Sequence, residues 1–154
     1  MVLDPGYGGP IDTGAGSATE TPEKDVNLRV AKATEALLLD LGIPTLMTRS
    51  DDYVTPLSVR AHLADAVEAP LMVSIHHNAP THQPSTFPGI EVFIQSFSDE
   101  SRRLGGLLYA HATTSLKTLD ASWSSARDAD VMTVLNSGGD DACGIIRRQT
   151  HRPP

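Results

Sequence analysis

Three short stretches of this 154-residue sequence carry side chains that could do chemistry together. Tyr7 lies in a glycine-rich turn over residues 4–9, and Glu23 stands where a helix is expected to begin. His76 and His77 follow an apolar run at residues 71–75. A carboxylate and imidazoles that converge on one edge are the oxygen and nitrogen ligands of a hydrolytic zinc site. The pattern therefore raises a metal-dependent hydrolase as a first hypothesis.

Each of these signals also has a plainer interpretation. Glu23 could simply complement the positive end of a helix, and His76 with His77 could be solvated residues at a strand end. The glycine-rich turn has neither the GxGxxG spacing nor the lysine of a phosphate-binding loop, which argues against a nucleotide site. Taken singly, the three stretches leave the function open.

The elements that would position these residues alternate between strands and helices. Strands are expected at residues 1–3, 44–48, 71–75, 89–96 and 129–135, and helices at 21–41, 57–67 and 98–117. Such alternation predicts an α/β fold in one domain, with a mainly parallel sheet and helices on both faces. The run at 71–75 is expected to be a buried central strand. Ligands of such sheets bind at the carboxyl ends of the strands, where the turn at 4–9 and the two histidines both lie.

Two of the helices have a predicted inward face. In the first, Thr21 is the expected N-cap residue, and the apolar stripe consists of Val26, Val30, Ala33, Leu37 and Leu41. In the second, the inward positions are Leu57, Ala61, Ala64 and Val67.

Composition narrows the class of protein. The formal net charge is −7, which argues against nucleic acid as a partner because phosphate-tracking proteins carry basic patches. The single cysteine excludes an internal disulfide and a cysteine-rich zinc cage. No apolar run is long enough for a membrane span, and no signal peptide is visible at residues 1–5.

Six segments in order resemble the zinc-dependent N-acetylmuramoyl-L-alanine amidases that cut bacterial peptidoglycan, a family also found in phage lysins. They are VLDPGYGG (2–9), EKDVNL (23–28), TRSDD (48–52), LSVR (57–60), VSIHHNA (73–79) and GIEVF (89–93). The resemblance covers roughly residues 1–136. It implies an α/β fold of about five to six strands, a zinc cofactor, peptidoglycan or muramyl peptides as partner, and action in the cell envelope or outside the cell.

The resemblance transfers two zinc ligands to this chain, Glu23 and His76. Tyr7 stands where the family has the first histidine ligand, and a phenol is an uncommon zinc ligand. His77 and His82 are alternative third ligands, although His77, as the strand neighbour of His76, should point the other way. We therefore expect zinc binding to be weakened or lost.

The family also uses a glutamate near the C-terminus as its general base, and this chain has no glutamate after Glu100. Asp140 and Asp141 are the candidate substitutes for this glutamate. The last strand and final helix of the family are expected to be missing, so we predict an incomplete catalytic domain over residues 1–136 and an irregular tail over 137–154.

Arg49 and Arg60 belong to the matching segments and are expected to tie loops together, near Asp51, Asp52 or Asp65, rather than to bind substrate.

These expectations give two hypotheses for the function. The first is a peptidoglycan hydrolase that cleaves the amide between N-acetylmuramic acid and L-alanine with zinc-activated water, with catalysis impaired in this chain. The second is a non-catalytic relative that binds peptidoglycan fragments or a regulatory partner.

Overall fold

A computed structural model describes residues 1–16, 21–77, 90–118 and 131–148 of the chain. These residues form two compact units, the first comprising the described residues up to 77 together with Arg148, and the second those from 90 to 147. Each unit combines parallel strands with helices, which confirms the predicted α/β class. In the described part of the chain, no helix is both long enough and apolar enough to cross a membrane.

The first unit is a three-stranded parallel sheet with two helices. Its elements are β1 (Val2–Pro5), α1 (Glu23–Asp40), β2 (Leu46–Met47), α2 (Leu57–Ala66) and β3 (Met72–Ile75). The strand order is β2-β1-β3, with Val2 opposite both Leu46 and Met72. Because the chain passes from one side of β1 to the other, the order of the strands reverses at β1, which is where open α/β sheets form their binding crevices.

The central strand of this sheet is β1 rather than β3. All four residues of β1 are buried, whereas those of β3 are half-buried and have a described neighbour on one side. The prediction of residues 71–75 as the central strand was therefore wrong within the described residues. A short apolar run bounded by turn residues predicts a strand, but the place of that strand in the sheet depends on which strands it pairs with.

Helix α1 buries a different face from the predicted apolar stripe. Its buried residues are Glu23, Lys24, Asn27 and Ala31, whereas Val30, Leu37 and Leu41 are 40%, 65% and 74% exposed. The cap also differs, since Pro22 occupies the N-cap position and makes no side-chain cap. Carbonyls of residues 15 and 13 instead accept the N–H groups of Glu23 and Lys24.

Helix α2 follows its prediction in part. Ala61 and Ala64 are buried as expected, and Arg60 is buried with them, whereas Leu57 and Val67 are exposed. The buried guanidinium takes the inward position because it has polar partners in the turn after β1.

The second unit contains β4 (Val92–Phe93), α3 (Asp99–Thr118), β5 (Val131–Met132) and, as far as residue 147, α4 (Gly144–Arg148). Strands β4 and β5 pair in parallel, and α3 packs on them through Gly105, which faces Ile94 and Val131. The Ser98 hydroxyl accepts the N–H of Ser101, so α3 begins with a serine cap close to its predicted start.

The predicted irregular tail contains regular structure up to residue 148. Leu135 and Asp141 form an antiparallel bridge, and α4 follows at Gly144–Arg148, so the prediction was wrong for these residues. Residues 149–154 lie outside the described part of the chain.

Candidate metal centre

Glu23 and His76 meet at the carboxyl edge of the first sheet. Glu23 is the first residue of α1, and His76 directly follows β3. The carboxylate Oε1 of Glu23 lies 3.2 Å from Nδ1 of His76. The two residues are more than fifty positions apart in the sequence. They meet because α1 starts near the end of β1, and β3 ends beside β1.

The Glu23 carboxylate is held in one orientation by main-chain donors. Its Oε2 accepts the N–H of Ala15 at 2.9 Å, and its Oε1 accepts the N–H of His77 at 2.8 Å. Glu23 is only 5% exposed, so these charge-assisted hydrogen bonds replace most of its water. Such a carboxylate does more than complement the helix terminus.

His76 is more open and lies against bare backbone. Its side chain is 42% exposed, and its imidazole sits directly over Gly6. A side chain at position 6 would overlap the ring, so the close approach requires glycine there. The imidazole is therefore placed by shape as well as by its hydrogen bond to Glu23.

Tyr7 completes the group of side chains at this edge. Its φ of 61° places it in the left-handed region, and its ring meets the His76 ring edge-on with centroids 5.0 Å apart. Burial raises the pKa of the Tyr7 phenol, and the negative charges of Glu23 and Asp12 raise it further. A raised pKa disfavours the tyrosinate that zinc would need.

Two buried arginines hold the turn that carries Tyr7. Arg49 donates to the carbonyls of Pro5 and Gly6 at 2.9 Å each, and Arg60 donates to the Tyr7 carbonyl at 2.7 Å. This supports the expectation that both arginines tie loops together. Arg60 also forms an ion pair with Asp4, at 2.7 Å.

His77 lies on the same side as His76, contrary to the expectation from strand alternation. Its Nδ1 is 2.7 Å from Oδ1 of Asn27, and Asn27 in turn donates to Glu23 at 3.4 Å. Strand β3 ends at Ile75, so the alternation of side chains no longer applies at position 77. Sequence reasoning missed Asn27, although its place four residues after Glu23 puts it on the same helix face.

Three further candidates came from the sequence. His82 lies outside the described part of the chain. Asp140 and Asp141 belong to the second unit, where the Asp141 carboxylate accepts the N–H of Ser96 at 3.1 Å. Their role as a substitute base stays a prediction.

The residues present match a zinc ion in part. Hydrolytic zinc sites use three protein ligands and keep one position for water. Glu23 and His76 supply an oxygen and a nitrogen donor at one point, whereas the Tyr7 phenol is a poor third donor. Among residues 1–16, 21–77, 90–118 and 131–148, no group of three or more His, Cys, Asp or Glu side chains could hold a metal ion. As zinc ligands, Glu23 and His76 stay a prediction.

Residues 1–140 match the protein family described as N-acetylmuramoyl-L-alanine amidase (Amidase_3). The chain belongs to this family. The match covers most of the chain and includes both Glu23 and His76, so the resemblance seen in the sequence is confirmed. Amidases of this family are generally zinc-dependent.

Individual amidases of the family show the same similarity. AmiA of Escherichia coli K12 is 41% identical over 96 residues, which cover 62% of this chain and 32% of AmiA. The amidase AmiC2 of Nostoc punctiforme superimposes with a TM-score of 0.66 at 33% identity, covering 78% of this chain and 62% of AmiC2. An amidase from Clostridium difficile 630 gives a TM-score of 0.70 at 34% identity, covering 75% and 63%. The chain thus spans about a third of the length of AmiA.

Proposed function

We propose that this chain is a peptidoglycan amidase domain that hydrolyses the amide between N-acetylmuramic acid and L-alanine. The contact of 3.2 Å between Glu23 and His76 carries the proposal, because it joins a carboxylate and an imidazole at the edge where such sheets bind ligands. Membership of the amidase family supplies the reaction. Since peptidoglycan is the substrate, the cell envelope is the place of action.

Zinc is the proposed cofactor, with Glu23 and His76 as its protein ligands. When bound, the ion supplies a Lewis acid and an activated water for amide hydrolysis. The protein keeps the Glu23 carboxylate fixed through the N–H groups of Ala15 and His77 and keeps the His76 ring against Gly6. Tyr7 places a protonated phenol beside both residues.

We infer that turnover is lower than in an amidase with a histidine at position 7. Two protein ligands offset less of the free-energy cost of dehydrating the zinc ion than three ligands do, so zinc affinity should be low. We therefore expect an imidazole at position 7 to strengthen metal binding and to speed catalysis.

The test compares the wild-type protein with Tyr7→His in calorimetric zinc titrations and in release of L-alanyl peptides from muramyl peptide. We expect Tyr7→His to bind zinc at least about tenfold more tightly, which corresponds to about 1.4 kcal/mol, and to cleave faster. Tyr109→His in α3 is the matched control, since it adds the same imidazole in the second unit. Glu23→Gln should abolish the gain when combined with Tyr7→His. A folded Tyr7→His protein that binds zinc but releases no peptide would contradict the proposal.

A second candidate function is metal-independent binding of muramyl peptides or of a regulatory partner. The tyrosine in place of a third ligand favours it, because a phenol weakens the metal-binding donor set while the hydrogen bonds that hold Glu23 remain. Calorimetry with muramyl peptide in the presence of a chelator separates the two candidates. Binding that survives chelation, without any cleavage when zinc is supplied, would favour the second candidate over the first.

A further inference from the structure

We propose that His77 is a positioning residue for Glu23: it acts through Asn27, to which its ring donates the hydrogen on Nδ1. This inference deepens the proposed function, on which its zinc readout rests, while its statement about the proton does not depend on that function. The residues involved all lie in the first unit.

The orientation of the Asn27 amide follows from its partners. Its Nδ2 faces two groups that only accept hydrogen bonds, the Gly6 carbonyl at 3.2 Å and the Glu23 carboxylate at 3.4 Å. The amide nitrogen must therefore point to that side, and the oxygen Oδ1 must point to His77. Since Asn27 is completely buried, water does not offer an alternative partner.

The proton on His77 follows from the orientation of Asn27. An amide oxygen accepts a hydrogen bond, so His77 Nδ1, at 2.7 Å, must be the donor. The other nitrogen of the neutral ring, Nε2, then keeps its lone pair. A histidine without such a partner can take either tautomer. The contact with Asn27 therefore predicts one tautomer, which can be measured.

The two residues limit the movement of Glu23 from two directions. Asn27 stands four residues after Glu23 on α1 and bonds to its Oε1, while the main-chain N–H of His77 bonds to the same oxygen. The hydrogen bond between the His77 ring and Asn27 links these two donors to each other. Removal of the ring leaves the main-chain donor in place but takes away the hydrogen bond that fixes the orientation of the Asn27 amide from its Oδ1 side. Partners that orient ligand side chains typically contribute about 10- to 100-fold to metal affinity.

The first experiment is nitrogen NMR of histidine-labelled, metal-free protein at a pH where free imidazole is neutral. His77, assigned by comparison with His77→Gln, should show a protonated Nδ1 and an unprotonated Nε2. The opposite tautomer, or rapid exchange between the two, would overturn the proposal.

The second experiment measures zinc affinity by calorimetry in the Tyr7→His background, where binding is expected to be strongest. His77→Ala should weaken zinc binding by about 10- to 100-fold, and His77→Gln, whose amide still offers an N–H to Asn27, should lose less. His62→Ala is the matched control, because His62 is an exposed histidine on α2 of the same unit. Equal zinc affinity of His77→Ala and the background protein would overturn the proposal.

Failure of the proposed function would look different. If the Tyr7→His protein binds no zinc, the amidase proposal fails, and the tautomer alone decides about His77. A protonated Nδ1 would then still support the positioning contact with Asn27, and a protonated Nε2 would still overturn it.

Discussion

Asp4 and Arg60 form a buried ion pair at the base of the turn that carries Tyr7. Arg60 Nη1 lies 2.7 Å from Asp4 Oδ1, and the same guanidinium donates to the carbonyls of Pro5 and Tyr7. Asp4 also accepts the hydroxyl hydrogens of Thr48 and Ser74, so both of its oxygens are paired. The conformation of the turn that carries Tyr7 therefore depends on the buried charges of Asp4 and Arg60.

Removal of one partner of this ion pair should be costly. Arg60→Ala leaves Asp4 buried without its counter-charge, and we expect a loss of about 3–5 kcal/mol in the free energy of unfolding. Arg29→Ala is the control, since Arg29 is exposed and should change stability by no more than about 0.5 kcal/mol. Urea denaturation followed by circular dichroism measures both. A loss below about 1 kcal/mol for Arg60→Ala would show that the pair is not important for stability.

Gly14 should tolerate no side chain. Its φ is 69°, and a Cβ there would lie 2.5 Å from Tyr7 Cδ2 and 2.8 Å from Glu23 Oε2. Gly14→Ala should cost at least about 1–2 kcal/mol from the backbone alone and should also displace Tyr7. Gly106→Ala is the contrast: it lies within α3 with open space around its Cβ and should stabilise by about 0.5–1 kcal/mol. Thermal denaturation of both variants checks the difference in sign.

Asp52 should make stability fall in acid. The hydrogen bond from Lys24 and then the N–H of Gly9 lower the pKa of this carboxyl below its ordinary value. A lowered folded-state pKa means that the contribution is present above the unfolded pKa, near 4, and is lost as the pH falls through the folded value. Asp52→Asn should flatten the dependence of the urea midpoint on pH in this window. Lys24→Met should do the same, and an unchanged slope in both variants would refute the assignment.

Tyr7 should ionise at a higher pH than a free tyrosine. Burial first, and then the charges of Glu23 and Asp12, raise the pKa of its phenol above the ordinary value of 10.0. The difference in phenolate absorbance between the wild-type protein and Tyr7→Phe isolates this ionisation, and its midpoint should lie above that value. Glu23→Gln should lower the midpoint because it removes one of the causes. A midpoint at or below the ordinary value would favour tyrosinate as a metal ligand.

The sequence by itself determined the order of the elements and the two residues that meet at the site. Strands and helices follow from local apolar spacing and from turn residues, so β1, α1 and α3 lie close to their predicted places. The meeting of Glu23 and His76 follows from the rule that parallel strands present their carboxyl ends at one edge. Local pattern is sufficient for the elements because each helix or strand depends on neighbours in the chain, whereas the meeting of Glu23 and His76 follows from the parallel order of the strands.

Only the tertiary structure decided which face of α1 is buried and where His77 points. The apolar stripe of Val30, Leu37 and Leu41 is exposed, while Glu23 and Asn27 face inward. The buried polar groups are stable there because each finds hydrogen-bond partners in segments distant in sequence: the main-chain N–H of Ala15, the Gly6 carbonyl and the residues after β3. Hydrophobic periodicity counts only apolar side chains, and it gives no information about partners that the chain supplies once it has folded.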